Sequence, residues 1–92
     1  SIKRAISDTD LQVQIEALKV AGNLNAPELL NSILGSLSSK NKWVRMAAIE
    51  ALKDYEDNRV DRSLNLLSST DNDYAVKSTI EQVLKYRNEK GM

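Results

Sequence analysis

Two acidic clusters, Asp54/Glu56/Asp57 and Asp71/Asp73, hold the residue types that bind calcium or shuttle protons. A calcium loop of the EF-hand kind beginning at Asp71 needs glycine near its sixth position and glutamate at its twelfth, where the chain has Val76 and Gln82. The acids read better as caps of helices and as solvated turns. A second chemistry is anion binding: Arg59 and Arg62 stand three apart, with Lys3 and Arg4 on a matching segment near the start. Clustered cations and stacking aromatics, which a phosphate-driven nucleic-acid surface wants, do not accompany them. The sequence has no histidine and no cysteine, so it lacks an imidazole base, a thiol nucleophile and the usual zinc ligands. No catalytic, cofactor-binding or metal-ligating residue is assigned, and we expect neither an enzyme nor a bound cofactor.

The whole chain carries 13 basic and 13 acidic residues, and this zero net charge argues against a general binder of nucleic acid or of an anionic membrane surface. No run approaches the ~20 apolar residues that span a bilayer. Hydrophobic residues make up 41% and there is one proline, which suits a helix-rich domain.

The elements that position these residues repeat. Val13-Gln14, Val44-Arg45 and Val76-Lys77 recur at intervals of 31 (44 − 13) and 32 (76 − 44) residues. Behind each valine the same phase returns: Val13, Ala17, Val20 and Ala21, then Val44, Ala48, Ala51 and Leu52, then Val76, Ile80, Val83 and Leu84. Steps of four, seven and eight put each set on one helical face. A polar turn that can cap a helix precedes each: "SDTD" at 7–10, "SKNK" at 39–42 and "TDND" at 70–73. Second segments intervene. One has Pro27 in a first-turn position and Leu30, Ile33, Leu34 and Leu37 on a stripe, and the other has Val60, Leu64 and Leu67. The spacing predicts helices over roughly 2–7, 11–24, 27–38, 42–56, 59–69 and 73–88, with no strand, neighbouring helices running antiparallel.

The pattern Asp-x-Asp-x-x-Val-Arg-x-x-Ala-x-x-Ala-Leu resembles the HEAT repeat, with a short form found in phycobilin-lyase-like proteins as the nearest subtype. The matching residues are Asp8, Asp10 and Val13; Asn41, Val44, Arg45, Ala48, Ala51 and Leu52; and Asp71, Asp73, Val76 and Lys77. Gln14, Ser39 and Ile80 depart from it. The resemblance implies an all-α right-handed solenoid in which first helices form the convex layer and second helices the concave one. It divides residues 1–92, a single repeat domain, into units near 8–38, 39–69 and 70–92 after the tail of an earlier unit at 1–7. Because "SIKRAIS" begins in mid-pattern, we expect a fragment of a longer array.

Within such a stack, Arg45 is expected along the seam between units, held by Asp or Asn of neighbouring turns. Trp43, whose counterparts are Gln12 and Ala75, is either a packing residue or an anchor for a partner. Tyr55, Tyr74 and Tyr86 are expected on half-wet rims, without a function. The last helix is expected to expose Val83 and Leu84 and so to invite homodimerisation, while "YRNEKGM" at 86–92 reads as a fading terminus. These residues favour a cytoplasmic protein-interaction module that binds another protein through its concave face or an exposed end, with Trp43, Arg59 and Arg62 as its contacts. The rival readings are an accessory segment of a phycobilin-lyase-like enzyme and a nucleic-acid-contacting module.

Overall fold

Each polar turn folds as a two-step cap, and this device fixes where the long helices begin. In the computed structural model, which describes residues 1–92, the amides of Gln12 and Val13 donate to the Asp10 carboxylate at 2.8 and 3.2 Å, and the Asp10 amide donates to Asp8 at 2.8 Å. The second turn repeats it with Asn41 capped onto Trp43 and Val44, and Ser39 behind it. The third uses Asp73, which accepts from the Val76 amide at 3.1 Å, with Asp71 behind it at 2.9 Å. The chain forms six helices and no strand: α1 (Ile2–Ile6), α2 (Leu11–Leu24), α3 (Leu30–Ser36), α4 (Lys42–Ala51), α5 (Asn58–Thr70) and α6 (Tyr74–Glu89). Pro27–Leu29 form a single 3₁₀ turn leading into α3, with Pro27 at the first position, where its missing amide costs no helical hydrogen bond. Asn25 closes α2 in the left-handed region at φ 52°.

α2, α4 and α6 pack side by side as one layer. α1, α3 and α5 form the second, each leaning on the long helix that follows it. One contiguous apolar cluster fills the space between them, including Leu18, Ile33, Ile49, Leu64 and Ile80. The repeat thus produces stacked helix pairs, none of which can bury both apolar faces alone. No helix is long and apolar enough to cross a membrane.

The two ends differ from expectation in opposite senses. Val44 and Val76 are buried at 1% and 0% exposure, whereas Val13 is 40% exposed and Val20 43%. Both valines lie on the face of α2 turned away from α4, where no helix covers them. At the other end Val83 is buried and Leu84 half-buried, so the apolar face expected on α6 is closed. The segment read as a fading terminus continues α6 to Glu89 and buries Arg87.

The capping carboxylates set an acid limit on the fold. Asp57 is held below the usual carboxylate range first by the Arg59 side chain and then by the Arg59 amide. Asp73 is lowered first by the Val76 amide and, more weakly, by Lys42. Groups whose folded-state pKa is depressed contribute stability above the unfolded value, near ~4, and lose it as pH falls through the folded value. The urea midpoint should therefore hold above about pH 5 and decline below about pH 4. Asp57→Asn with Asp73→Asn keeps the caps, since asparagine caps as well, and should flatten the decline.

Candidate functional site

The arginine of the second repeat lies in the seam. Arg45 donates from Nε to Asp71 at 2.8 Å and from its terminal nitrogen to the Ser39 and Lys40 carbonyls at 2.9 and 3.2 Å, with its side chain only 16% exposed. Through Nε and one terminal nitrogen it ties its own cap turn to the next one. Residues of the first seam at equivalent positions are Gln14 and Ser39 (45 − 31 and 71 − 32), so both members of the ion pair change together. Arg45→Gln alone strands the largely buried Asp71. Adding Asp71→Ser should recover part of the loss, and a double-mutant cycle in denaturant should give a coupling of about 1–3 kcal/mol.

The acidic clusters are occupied in the same structural way. Asp71 serves Arg45 and the Asp73 amide, and Asp73 serves Val76 and Lys42. Asp54 accepts from the Tyr86 hydroxyl at 2.7 Å, and this hydrogen bond is the first cause of the raised Tyr86 pKa. The Tyr55 hydroxyl, raised first by burial and then by Glu28, donates to the Ala26 carbonyl at 2.7 Å. Tyr55 and Tyr86 thus clamp loops, while Tyr74 is 84% exposed. Asp61 takes a two-pronged bond from the buried Arg87 at 2.9 and 3.2 Å.

Arg59 and Arg62 share the face of α5 opposite its buried Val60 and Leu64. Arg59 is the more restrained: its guanidinium meets both Asp57 oxygens at 3.1 and 3.2 Å and donates to Asn31 of α3 at 2.9 Å. Asp57 in turn raises the Arg59 pKa, chiefly through the side-chain hydrogen bond. Arg62 is exposed and joins none of the five ion pairs of the chain. Between them in angle, four residues beyond Arg62, stands Leu66, 66% exposed. The sequence reading passed over it. Its signal is that it falls off the Val60–Leu64–Leu67 stripe and so has no place in the core.

Trp43 does not join this group. It opens α4, in the other layer, is 56% exposed, and lies under the Lys42 ammonium at 5.0 Å from the ring centroid. Arg59 and Arg62 come after α4 has run its length and the chain has turned, so the tryptophan sits at the opposite edge. The proposed contacts thus fall on two surfaces: a cationic and apolar stripe on α5, and an aromatic position at the start of α4.

No curated protein matches the chain. The family model for HEAT repeats matches residues 2–85, a span that takes in the first two capped units and most of the third. With capped helix pairs stacked in two layers and a family match over nearly its whole length, the chain belongs to the HEAT repeat family.

Proposed function

We propose that the chain is a non-catalytic interaction module that takes a protein partner on the second-layer stripe Arg59, Arg62 and Leu66. HEAT repeats commonly mediate protein interactions, and the chain shares that fold. The observation that carries the reading is Leu66, an exposed leucine beside a restrained and a free guanidinium, on a helix anchored by buried Val60 and Leu64. Such a surface suits a segment with a carboxylate next to an apolar side chain. Arg59 is already oriented by Asp57 and Asn31, so less rotamer entropy is lost on contact. The family match reaches the repeat family and goes no further toward the phycobilin-lyase-like form.

The test is a quantitative pull-down from the source organism, followed by titration of the recovered partner against the intact chain. Arg62→Glu with Leu66→Ala should weaken binding by about a hundredfold, as loss of a central anchor does, while helicity stays unchanged. Trp43→Ala should leave the affinity within about twofold, the effect of a residue outside the contact. The reverse pattern moves the contact to the start of α4 and ends this assignment.

A further inference from the structure

The stripe on α5 is one bank of a wider trough. The buried residues of the three short helices keep the repeat step: Ile6 answers to Leu37 (6 + 31), and Ile33 to Leu64 (33 + 31). The same step puts Arg4 of α1, Gly35 of α3 and Leu66 of α5 in one row on the outer face of the second layer. Arg4 and Leu66 are exposed at its two ends, and between them a Cβ added at Gly35 would meet nothing within 4 Å. α3 thus forms a low floor between two walls. On the α1 side Lys3 and Arg4 open onto Ser32 of α3 across a cavity of about 680 Å³. On the α5 side Arg59 reaches the floor at Asn31.

The charges of this trough are one-sided. Lys3, Arg4 and Arg62 are exposed and join no ion pair. The acids of the α5 side are used within the chain: Asp57 caps that helix and holds Arg59, and Asp61 holds the buried Arg87. Two further acids lie at its margins. Asp8, half-buried, accepts from the Asp10 amide, and Glu28 lies in the 3₁₀ turn ahead of α3, near Tyr55. The outward faces of α1 and α5 therefore carry unopposed positive charge on both walls. The floor is neutral and offers donors. Arg59 uses only the Asn31 oxygen, so the Asn31 amide nitrogen and the Ser32 hydroxyl have no partner in the chain.

A segment with carboxylates at two places and backbone carbonyls between them complements this surface. Packed helices lie about 8–10 Å apart, which puts the α1 and α5 anchors about 20 Å apart. That is the span of about six extended residues. Nucleic acid fits less well, because the outer face of this layer has no aromatic platform: Trp43 and Tyr74 belong to the first layer, and Tyr55 is buried. Resting on the reading of the α5 stripe above, we infer that the partner is an acidic protein segment laid extended across α3. One acidic cluster meets Arg59 and Arg62, beside an apolar residue on Leu66, and a second meets Lys3 and Arg4.

Fluorescence anisotropy with labelled synthetic peptides and the intact chain tests this. Each peptide carries paired glutamates at both ends, a leucine beside one pair and a serine–glycine spacer. The peptide whose glutamate pairs stand about six residues apart should bind about tenfold more tightly than one with a spacing of about two, which cannot reach both walls. Lys3→Glu with Arg4→Glu should weaken the long peptide about tenfold, with circular dichroism unchanged because both side chains are exposed. The short peptide, held on α5 beyond the reach of unscreened charge at physiological salt, should change by less than about twofold. No binding by either peptide, no advantage of the long one, or a long peptide indifferent to the α1 variant overturns the crossing. Arg62→Glu with Leu66→Ala in the pull-down still decides the α5 stripe by itself. Tighter binding of an oligothymidylate than of the long peptide overturns the acidic segment as occupant.

Discussion

Replacing Arg87 by methionine should lower the thermal midpoint by about 15 °C, from a loss of about 3 kcal/mol in a domain of this size. Arg87 is 1% exposed and is the largest fully buried side chain in the chain. Besides Asp61, its guanidinium serves the carbonyls of Leu52, Lys53 and Tyr55 at 3.1, 3.1 and 2.6 Å. These carbonyls lie past the end of α4, where helical hydrogen bonding has run out, and Arg87 satisfies them together. Methionine fills much of the volume but leaves them unpaired, and a stranded buried acceptor costs about 1–3 kcal/mol. Asp61 is one-third exposed and recovers water when the arginine goes, so the ion pair itself is the smaller share. Asp61→Asn should accordingly cost about 1 kcal/mol, well below Arg87→Met, in chemical denaturation. Equal losses for the two variants would place the energy in the ion pair and not in the carbonyls.

That residue also marks where legibility in the sequence ends. The capped helices were readable because each uses local chemistry: a short polar side chain, then apolar residues three and four apart. Arg45 was readable because its partners lie in turns that the repeat itself brings together. Arg87 offers no such clue, since its chief acceptors are backbone carbonyls more than thirty residues away and carbonyls leave no trace in residue type. Val13 and Val83 failed for a different reason. A stripe reports that a face is apolar, not whether anything lies against it, and identical phasing at the two ends hid one open face and one closed face. At the candidate site the arginines were legible from charge and spacing. Leu66 was hidden among neighbours that do belong to the core, Leu64 and Leu67.

Two helical glycines should respond with opposite sign to the same substitution. Gly22 lies where α2 crosses α4: a Cβ added there would stand 2.8 Å from the Ala51 Cα and 3.2 Å from its Cβ. The first of these is backbone and cannot rotate away, so the helices must separate. Alanine recovers about 1 kcal/mol of helix propensity over glycine, while overpacking in a close seam costs about 1–3 kcal/mol. We expect Gly22→Ala to lose about 1 kcal/mol net and Gly22→Val about 3 kcal/mol, since valine adds further volume and a β-branch. At Gly35 of α3 an added Cβ meets nothing within 4 Å. Gly35→Ala should therefore gain about 0.5–1 kcal/mol by restricting the unfolded chain. Both variants share one helix-propensity term, so the difference between their denaturation midpoints isolates the contact at Ala51. In the second seam Lys53 and Val83 replace the Gly22–Ala51 pair (22 + 31 and 51 + 32), and no equally close backbone approach is needed there. If Gly22→Ala proves as stable as Gly35→Ala, α2 and α4 have room to part, and the small pair is not what sets their spacing.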